Sequence, residues 1–197
     1  IKNIDPSGND IVVLLADSDM HLAALIEHED EKFYYYSING INKYLPIFGF
    51  VGGRPFNDIA VGPFSSPEAF MQSDYNSHGE KTDESSNYYG FSNAYRIPTS
   101  TAQDKIMAKT FKDIAENESY QLLWNNCATT VSRAMMAAGL NSGLLPSKDN
   151  PLQCVNYFAN MQHPMLFLFN NYMNYIFPLS VYNSIMQANP NGHEIEK

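Results

Sequence analysis

The hydrophobic pattern at the start of the chain predicts three β-strands. Residues 11–16 form an unbroken apolar run, which is typical of a strand buried on both faces. Residues 19–27 form a second run of strand length, and the aromatic run 33–37 forms a third. The polar segment 28–32 lies between the last two runs and favours a turn. The sequence therefore predicts a buried strand followed by a hairpin over residues 21–38.

The middle of the chain alternates between turn residues and short ordered segments. Glycine and proline residues interrupt the pattern between positions 49 and 67, so we expect short strands and turns there. Residues 72–87 are rich in Ser, Asn, Asp and Glu and predict a surface loop. Further short strands are expected at residues 95–97 and 120–123.

A helix is predicted after the second of these turn-rich regions. Ser100 and Gln103 have the spacing of a capping box, and apolar periodicity continues over residues 102–116. The expected apolar side of this helix consists of Ile106, Phe111, Ile114 and Ala115.

Residues 125–139 predict a second helix, with a cysteine in its first turn. Apolar residues recur there at helical spacing: Ala128, Val131, Met135 and Ala138. Asn125 or Asn126 can cap the start of this helix, and Gly139 can close its end. First-turn N–H groups and the positive end of the helix dipole favour a thiolate, so Cys127 is a candidate nucleophile. The alternative is a small buried cysteine.

His21 is the candidate base for this thiol. It stands at the open end of the predicted hairpin, where the first residue of a strand can face a helix N-terminus across a cleft. Taken alone, a histidine there is more often a structural residue. Paired with Cys127, it forms the thiol and imidazole pair of nucleophilic catalysis.

The order of these motifs resembles a known family. Residues 9–15, Asn-Asp-Ile-Val-Val-Leu-Leu, are followed by His21 opening a hairpin, by a long insertion, and by Asn126–Ala128 opening a helix. This order is similar to that of the circularly permuted NlpC-type papain-like proteins, the group of lecithin:retinol acyltransferase and bacterial lipoprotein hydrolases. The resemblance covers residues 9–160 and implies an α+β fold. In that fold an antiparallel sheet packs on the helix that carries the cysteine at its N-terminus.

The resemblance also implies a catalytic mechanism. Cys127 would attack an acyl carbon, and His21 would take up and return the proton. The third catalytic residue of the family is polar and lies on the strand after the histidine. No second histidine occupies that strand here, which leaves Ser37 and Asn39 as candidates.

The implied activity is that of a cysteine hydrolase, a peptidase or amidase that acts on a peptide, peptidoglycan or lipid acyl substrate. The oxyanion donors would be the backbone N–H of Cys127 and the side chain of Asn125 or Asn126. Acyl transfer to an acceptor other than water and deamidation of a target protein share the first half of this reaction and are alternatives. A papain-like module that binds without catalysis is the alternative from another class.

The N-terminal segment carries a second resemblance. It contains Asp5-Pro6-Ser7-Gly8, which is similar to the Asp-Pro-x-Gly segment that closes the core of Rhs-repeat proteins. A variable toxin module follows that segment, so the resemblance implies a toxin of a secreted bacterial protein. Such a module is delivered into a target cell and has a cognate immunity protein. The alternative is a plain turn. The abrupt start and the absence of an initiator Met lead us to expect a piece of a longer chain.

Length and composition bound the domain organisation. With 197 residues and 44% hydrophobic content, the chain can bury a sizeable core and is expected to form one domain, or one domain with an appendage. We expect a junction at residues 1–9, a catalytic domain at 10–161 and a helical C-terminal extension at 162–197. Polar residues interrupt the apolar stretch Met165–Met186, so no membrane span is expected, while contact with a lipid surface is an open alternative.

Charge argues against nucleic acid as a partner. The 12 basic and 21 acidic residues give a formal net charge of -9, and no Lys/Arg cluster is present. The sequence has no Gly-rich phosphate loop, and no cofactor is expected. The spacing of Asp17, Asp19 and His21 is compatible with a divalent cation, but no further ligand cluster supports a metal site. Cys127 and Cys154 do not form a disulfide framework, and Cys154 is expected in the core.

Overall fold

The fold is known from a computed structural model of the chain. The described residues are 9–17, 21–39, 44–45, 49–50, 57–78, 90–118, 120, 125–143 and 177–195, with the backbone alone at 44–45, 49–50 and 77–78. The sequence predictions for residues 1–8, Asp19, residues 121–123 and Cys154 lie outside these ranges.

A six-stranded antiparallel sheet forms the centre of the fold. Its strands are β1 Asp10–Ala16, β2 Leu22–Glu27, β3 Phe33–Ile38, β6 Asn57–Phe64, β7 Phe91–Pro98 and β8 His193–Glu194. They lie in the order β6-β3-β2-β1-β7-β8, and every neighbouring pair is antiparallel. A separate ribbon pairs β4 Tyr44–Leu45 with β5 Gly49–Phe50.

Helices cover both faces of the sheet. The helices of the described residues are α1 Pro67–Met71, α2 Asp74–His78, α3 Thr101–Asn117, α4 Cys127–Ala137 and α5 Pro178–Ala188. Helices α3, α4 and α5 pack on one face, and α1 packs on the other. The α+β class expected from the sequence is therefore confirmed. None of these helices has both the length and the apolar character needed to cross a bilayer.

Strand β1 is buried over its full length, which explains its unbroken apolar run. Ile11, Val13 and Leu15 face the core formed with α3, α4 and α5. Val12 and Leu14 face a second core, to which α1 and the rings of β3 contribute. A strand that is covered on both faces has no solvent side on which polar residues could alternate.

The predicted hairpin is present. Strands β2 and β3 pair in the register Ala24↔Tyr36, and the turn is closed by the His28 N–H, which donates to the carbonyl of Lys32 at 2.9 Å. The hairpin extends the sheet on the side of β1 away from β7.

Helix α3 begins at the predicted capping box. The Ser100 hydroxyl accepts a hydrogen bond from the Gln103 N–H, and the Gln103 side chain accepts one from the Ser100 N–H at 3.0 Å. One predicted core position is wrong, because Ile106 is 42% exposed whereas Met107 is fully buried. At this turn of α3, the residue that faces the core is therefore Met107 and not Ile106.

Part of the segment after α1 is helical, although the sequence predicts a loop there. Residues 74–78 form α2, and Asn76 is 3% exposed. The Asn76 amide donates to the carbonyls of Met71 and Phe91, at 2.9 and 3.0 Å, and accepts from the Phe91 N–H at 2.9 Å. The surface-loop prediction is therefore wrong for residues 74–78, which form a helix whose Asn76 side chain is a buried partner of the backbone. Residues 79–87 lie outside the described ranges.

Both chain ends of the described part join the core. Asn9 is buried, and its carbonyl accepts the Thr99 N–H at 2.9 Å. Helix α5, in the region expected to be helical, packs on β1 and α4. Strand β8 then pairs with β7 at Tyr95↔Glu194. The described C-terminal residues therefore pack on the same core.

Candidate active site

Helix α4 begins at Cys127, as the sequence predicts. Asn126 caps it, with its side-chain oxygen accepting the Thr129 N–H at 2.9 Å. The Thr129 hydroxyl accepts the Asn126 N–H at 2.9 Å and completes a capping box. At the other end Gly139 adopts a φ of 73°, a conformation that a glycine adopts without steric cost. Cys127 is thus held in the first turn of the helix.

The Cys127 thiol lies against the beginning of β2. Burial has the largest effect on the pKa of this thiol, and hydrogen bonding from the backbone N–H groups of Leu22, Ala128 and Cys127 acts in the opposite direction. Leu22 follows His21 directly in the chain. The fold therefore brings the candidate nucleophile to the part of the hairpin where the candidate base begins the strand.

Burial reverses the ionisation expected for this thiol. Cys127 is 4% exposed, and burial raises the pKa of its thiol to about 11. The three N–H groups act in the expected direction, because they stabilise a thiolate, but the loss of hydration outweighs them. The prediction that this cysteine is poised to ionise is therefore wrong for the unliganded protein.

His21 is also buried, with 3% of its surface exposed. Its Nε2 atom lies 2.7 Å from the Ser37 Oγ atom, and its ring centroid lies 6.1 Å from that of Phe91. Burial lowers the pKa of His21 to about 3. The pair therefore rests as a neutral thiol and a neutral imidazole near pH 7.

Both candidates for the third residue belong to one hydrogen-bond chain. Ser37 contacts His21, and its hydroxyl donates to the side-chain oxygen of Asn39 at 3.1 Å. The Asn39 amide donates to a carboxylate oxygen of Asp58 at 3.0 Å. Ser37 is thus the direct partner of the imidazole, and Asn39 acts one step behind it.

Tyr35 and Asp58 belong to this chain but were not found from the sequence. The Tyr35 side chain lies beside Ser37, and burial raises its pKa well above the usual value. Tyr35 could have been found from strand alternation, which places it on the same face of β3 as Ser37. Asp58 lies opposite Ser37 in the β3–β6 register, and no local signal gives that register.

The two asparagines predicted as oxyanion donors are buried beside the thiol, with their side-chain oxygens engaged. Asn126 uses its oxygen to cap α4, and the oxygen of Asn125 accepts from Arg133 at 3.0 Å. Arg133 also pairs with Glu118, at 2.6 Å. The third predicted donor, the backbone N–H of Cys127, is one of the groups that act to lower the pKa of the thiol against the larger effect of burial.

Within the described ranges, no group of three or more His, Cys, Asp or Glu side chains is arranged to hold a metal ion. His21, one of the residues with cation-compatible spacing, uses Nε2 to contact Ser37 instead.

No protein-family model, curated protein or solved structure matches this chain. Its function is therefore inferred from its own residues.

Proposed function

We propose that this chain is a cysteine hydrolase of papain-like type, with Cys127 as nucleophile and His21 as base. One observation carries the proposal. The backbone N–H of Leu22, the residue that follows His21, acts on the Cys127 thiol, and the Nε2 atom of His21 lies 2.7 Å from the Ser37 Oγ atom. A nucleophile, a base and an orienting group in this order form the constellation of acyl transfer.

The neutral resting pair is compatible with general-base catalysis. As the Cys127 sulfur forms a bond to the acyl carbon, its proton moves to His21 and the carbonyl electrons move to the oxygen. In this proposal the N–H of Cys127 donates to that oxyanion. When the intermediate collapses, the leaving amine or alcohol takes the proton from His21, which leaves a thioester. Water then attacks the thioester, again with His21 as base, and restores the thiol.

The proposed fold family is the permuted NlpC-type papain-like group. A buried β1, a histidine before β2 and a later helix that starts at a cysteine support this assignment. A toxin module of an Rhs-type secreted protein, with an immunity protein as its partner, is proposed on the sequence of residues 5–8 alone. Peptide, peptidoglycan and lipid acyl groups are the proposed substrate classes.

A second candidate is a papain-like binding module without catalysis. The observation that favours it is the burial of Cys127, whose raised pKa opposes thiolate formation. The two candidates differ in whether Cys127 becomes acylated.

An activated ester distinguishes them. With p-nitrophenyl acetate, the hydrolase should release a burst of about one p-nitrophenolate per chain, and mass spectrometry should find the acetyl group on Cys127. Cys127→Ala and His21→Gln should abolish the burst, whereas the matched variant Cys154→Ala should keep it. A chain that is never acetylated at Cys127, or a burst that survives in Cys127→Ala, would rule out the hydrolase.

The fate of the acetyl group separates the enzyme alternatives. Spontaneous decay of the thioester in water supports hydrolysis. A decay that requires an added amine or alcohol supports acyl transfer instead. Release of ammonia from a glutamine-containing protein, with the same dependence on Cys127, supports deamidation.

A further inference from the structure

The hydrogen-bond chain from His21 to Asp58 has a fixed direction. A carboxylate accepts hydrogen bonds and cannot donate them. Asp58 therefore requires the NH₂ end of the Asn39 amide, which is the end that contacts it at 3.0 Å. The opposite end of that amide, its carbonyl oxygen, is then turned toward Ser37.

This orientation of Asn39 determines what Ser37 can do. A carbonyl oxygen only accepts, so the single hydroxyl proton of Ser37 is used in the 3.1 Å bond to Asn39. The lone pairs of the Ser37 oxygen remain for its contact with His21. His21 must therefore donate to Ser37.

The same argument decides the tautomer of His21. Its Nε2 atom, 2.7 Å from Ser37, must carry the proton. A neutral imidazole has one N–H and one bare nitrogen, so the lone pair is at Nδ1. Nε2 is occupied by Ser37, and Nδ1 is therefore the nitrogen able to accept a proton from a thiol.

The sheet places Asp58 close to the residues of this hydrogen-bond chain. It lies directly opposite Ser37 in the pairing of β6 with β3, where side chains of paired residues share a face of the sheet. Asp58 is half-buried, so its carboxylate contacts Asn39 from the edge strand without being enclosed in the core.

We propose that Asp58 is a positioning residue that fixes His21, through Asn39 and Ser37, in the tautomer with the proton on Nε2 and the basic lone pair on Nδ1. The catalytic meaning of this role rests on the proposed function, whereas the tautomer itself is a property of the folded chain. Asp58 touches neither the thiol nor the acyl group in this scheme.

The test is the ¹⁵N NMR spectrum of the histidine rings near pH 7. The chain has five histidines, and the His21 signals are those that disappear in His21→Gln. We expect an N–H type signal at Nε2 and a bare-nitrogen signal at Nδ1 for His21. Once these signals are assigned, the wild-type spectrum decides the tautomer, and a proton found on Nδ1 would overturn the proposal.

Asp58→Asn then tests the origin of the tautomer. A carboxamide has a donor and an acceptor end, so the chain of bonds can run in either direction and His21 should become a mixture of tautomers. Asp58→Glu, which keeps the acceptor-only group, should retain or largely restore the wild-type ratio. Asp113→Asn removes the same charge from an exposed position on α3 and should change nothing. An unchanged His21 spectrum in Asp58→Asn would contradict the role of Asp58.

Acylation of Cys127 separates this inference from the proposed function. If the tautomer responds to Asp58 but Cys127 is never acetylated, the positioning role stands and the hydrolase is ruled out. If Cys127 is acetylated at the same rate in Asp58→Asn while the tautomer is unchanged, the hydrolase stands and the positioning role is rejected.

Discussion

Ser37 Oγ lies 2.7 Å from His21 Nε2, although the two residues are not directly paired in the sheet. Extending the register Ala24↔Tyr36 places Ser37 opposite Ala23, so His21 is its diagonal neighbour on the same face. A long side chain such as histidine can reach a diagonal neighbour in an antiparallel pair. The hairpin therefore holds the imidazole through its own register, and the helix carrying Cys127 approaches it from outside the hairpin.

Removing this contact should impair the base more than the fold. In Ser37→Ala the imidazole and Asn39 both lose a buried partner, which should lower the free energy of unfolding by about 1–3 kcal/mol. The rate of the p-nitrophenyl acetate burst should fall roughly 10- to 100-fold, by analogy with the loss of a hydrogen-bond partner from a metal-ligating histidine. Ser92→Ala, at an exposed position of β7, is the control. Equal burst rates in Ser37→Ala and wild type would contradict the orienting role.

The Cys127 thiol should react slowly with a small alkylating reagent at neutral pH. Its pKa is raised to about 11 and it is 4% exposed, so little thiolate is accessible. In a Cys154→Ala background, iodoacetamide labelling followed by mass spectrometry should accelerate as the pH rises from 7 toward 11. If labelling is already rapid at pH 7 and does not accelerate at higher pH, Cys127 is a thiolate at pH 7, which would contradict the raised pKa.

Protonation of His21 should make the protein less stable in acid. Its pKa is lowered from 6.5 to about 3 by burial, so between these values the unfolded chain binds a proton that the folded chain does not. Its contribution to stability therefore falls as the pH drops from 6.5 toward 3, by about 1.4 kcal/mol per pH unit. Urea unfolding across this range should show a smaller acid loss in His21→Gln. The same slope in both proteins would mean that His21 is not buried as a neutral ring.

The contribution of Asp104 to stability should depend on pH in the direction opposite to that of His21. Burial raises its pKa to about 7, the charges of Glu27 and Asp10 add to the effect, and the Thr99 hydroxyl bond at 2.5 Å opposes it. The folded chain then holds a proton that the unfolded chain releases, so this contribution to stability is lost as the pH rises from 4 to 7.

The substitution Asp104→Asn tests this, because Oδ2 of Asp104 has no hydrogen-bond partner among the described residues. The variant should be more stable than wild type at pH 8, and the difference should shrink toward pH 4. Asp113→Asn, at an exposed position, should show no such pH dependence. A variant less stable at pH 8 than at pH 4, relative to wild type, would contradict the raised pKa.

Asn76 should contribute to stability through its backbone contacts. Asn76→Ala removes three buried hydrogen bonds to Met71 and Phe91 and should lower the free energy of unfolding by about 2 kcal/mol or more. Asn117→Ala, which removes one exposed bond at the end of α3, should cost much less. Equal urea midpoints for the two variants would argue against a structural role of α2.

The sequence alone determined the local elements of this protein. The apolar run 11–16, the polar turn 28–32, the capping box at Ser100 and the cap at Asn126 each depend on a few neighbouring residues. Periodicity and capping act within such short windows, so they could be predicted without the fold. The placement of Cys127 at a helix start was predictable for the same reason.

The tertiary structure decided how these elements are joined and what their burial does. The pairing of β6 with β3 brings Asp58 to Ser37, and this register depends on contacts between strands that are distant in sequence. The pKa of Cys127 rises because other parts of the chain exclude water from it, which outweighs the local effect of its helix. Asn76 is buried and helix α5 packs on the core for the same reason, because burial is a property of packing and not of the local sequence.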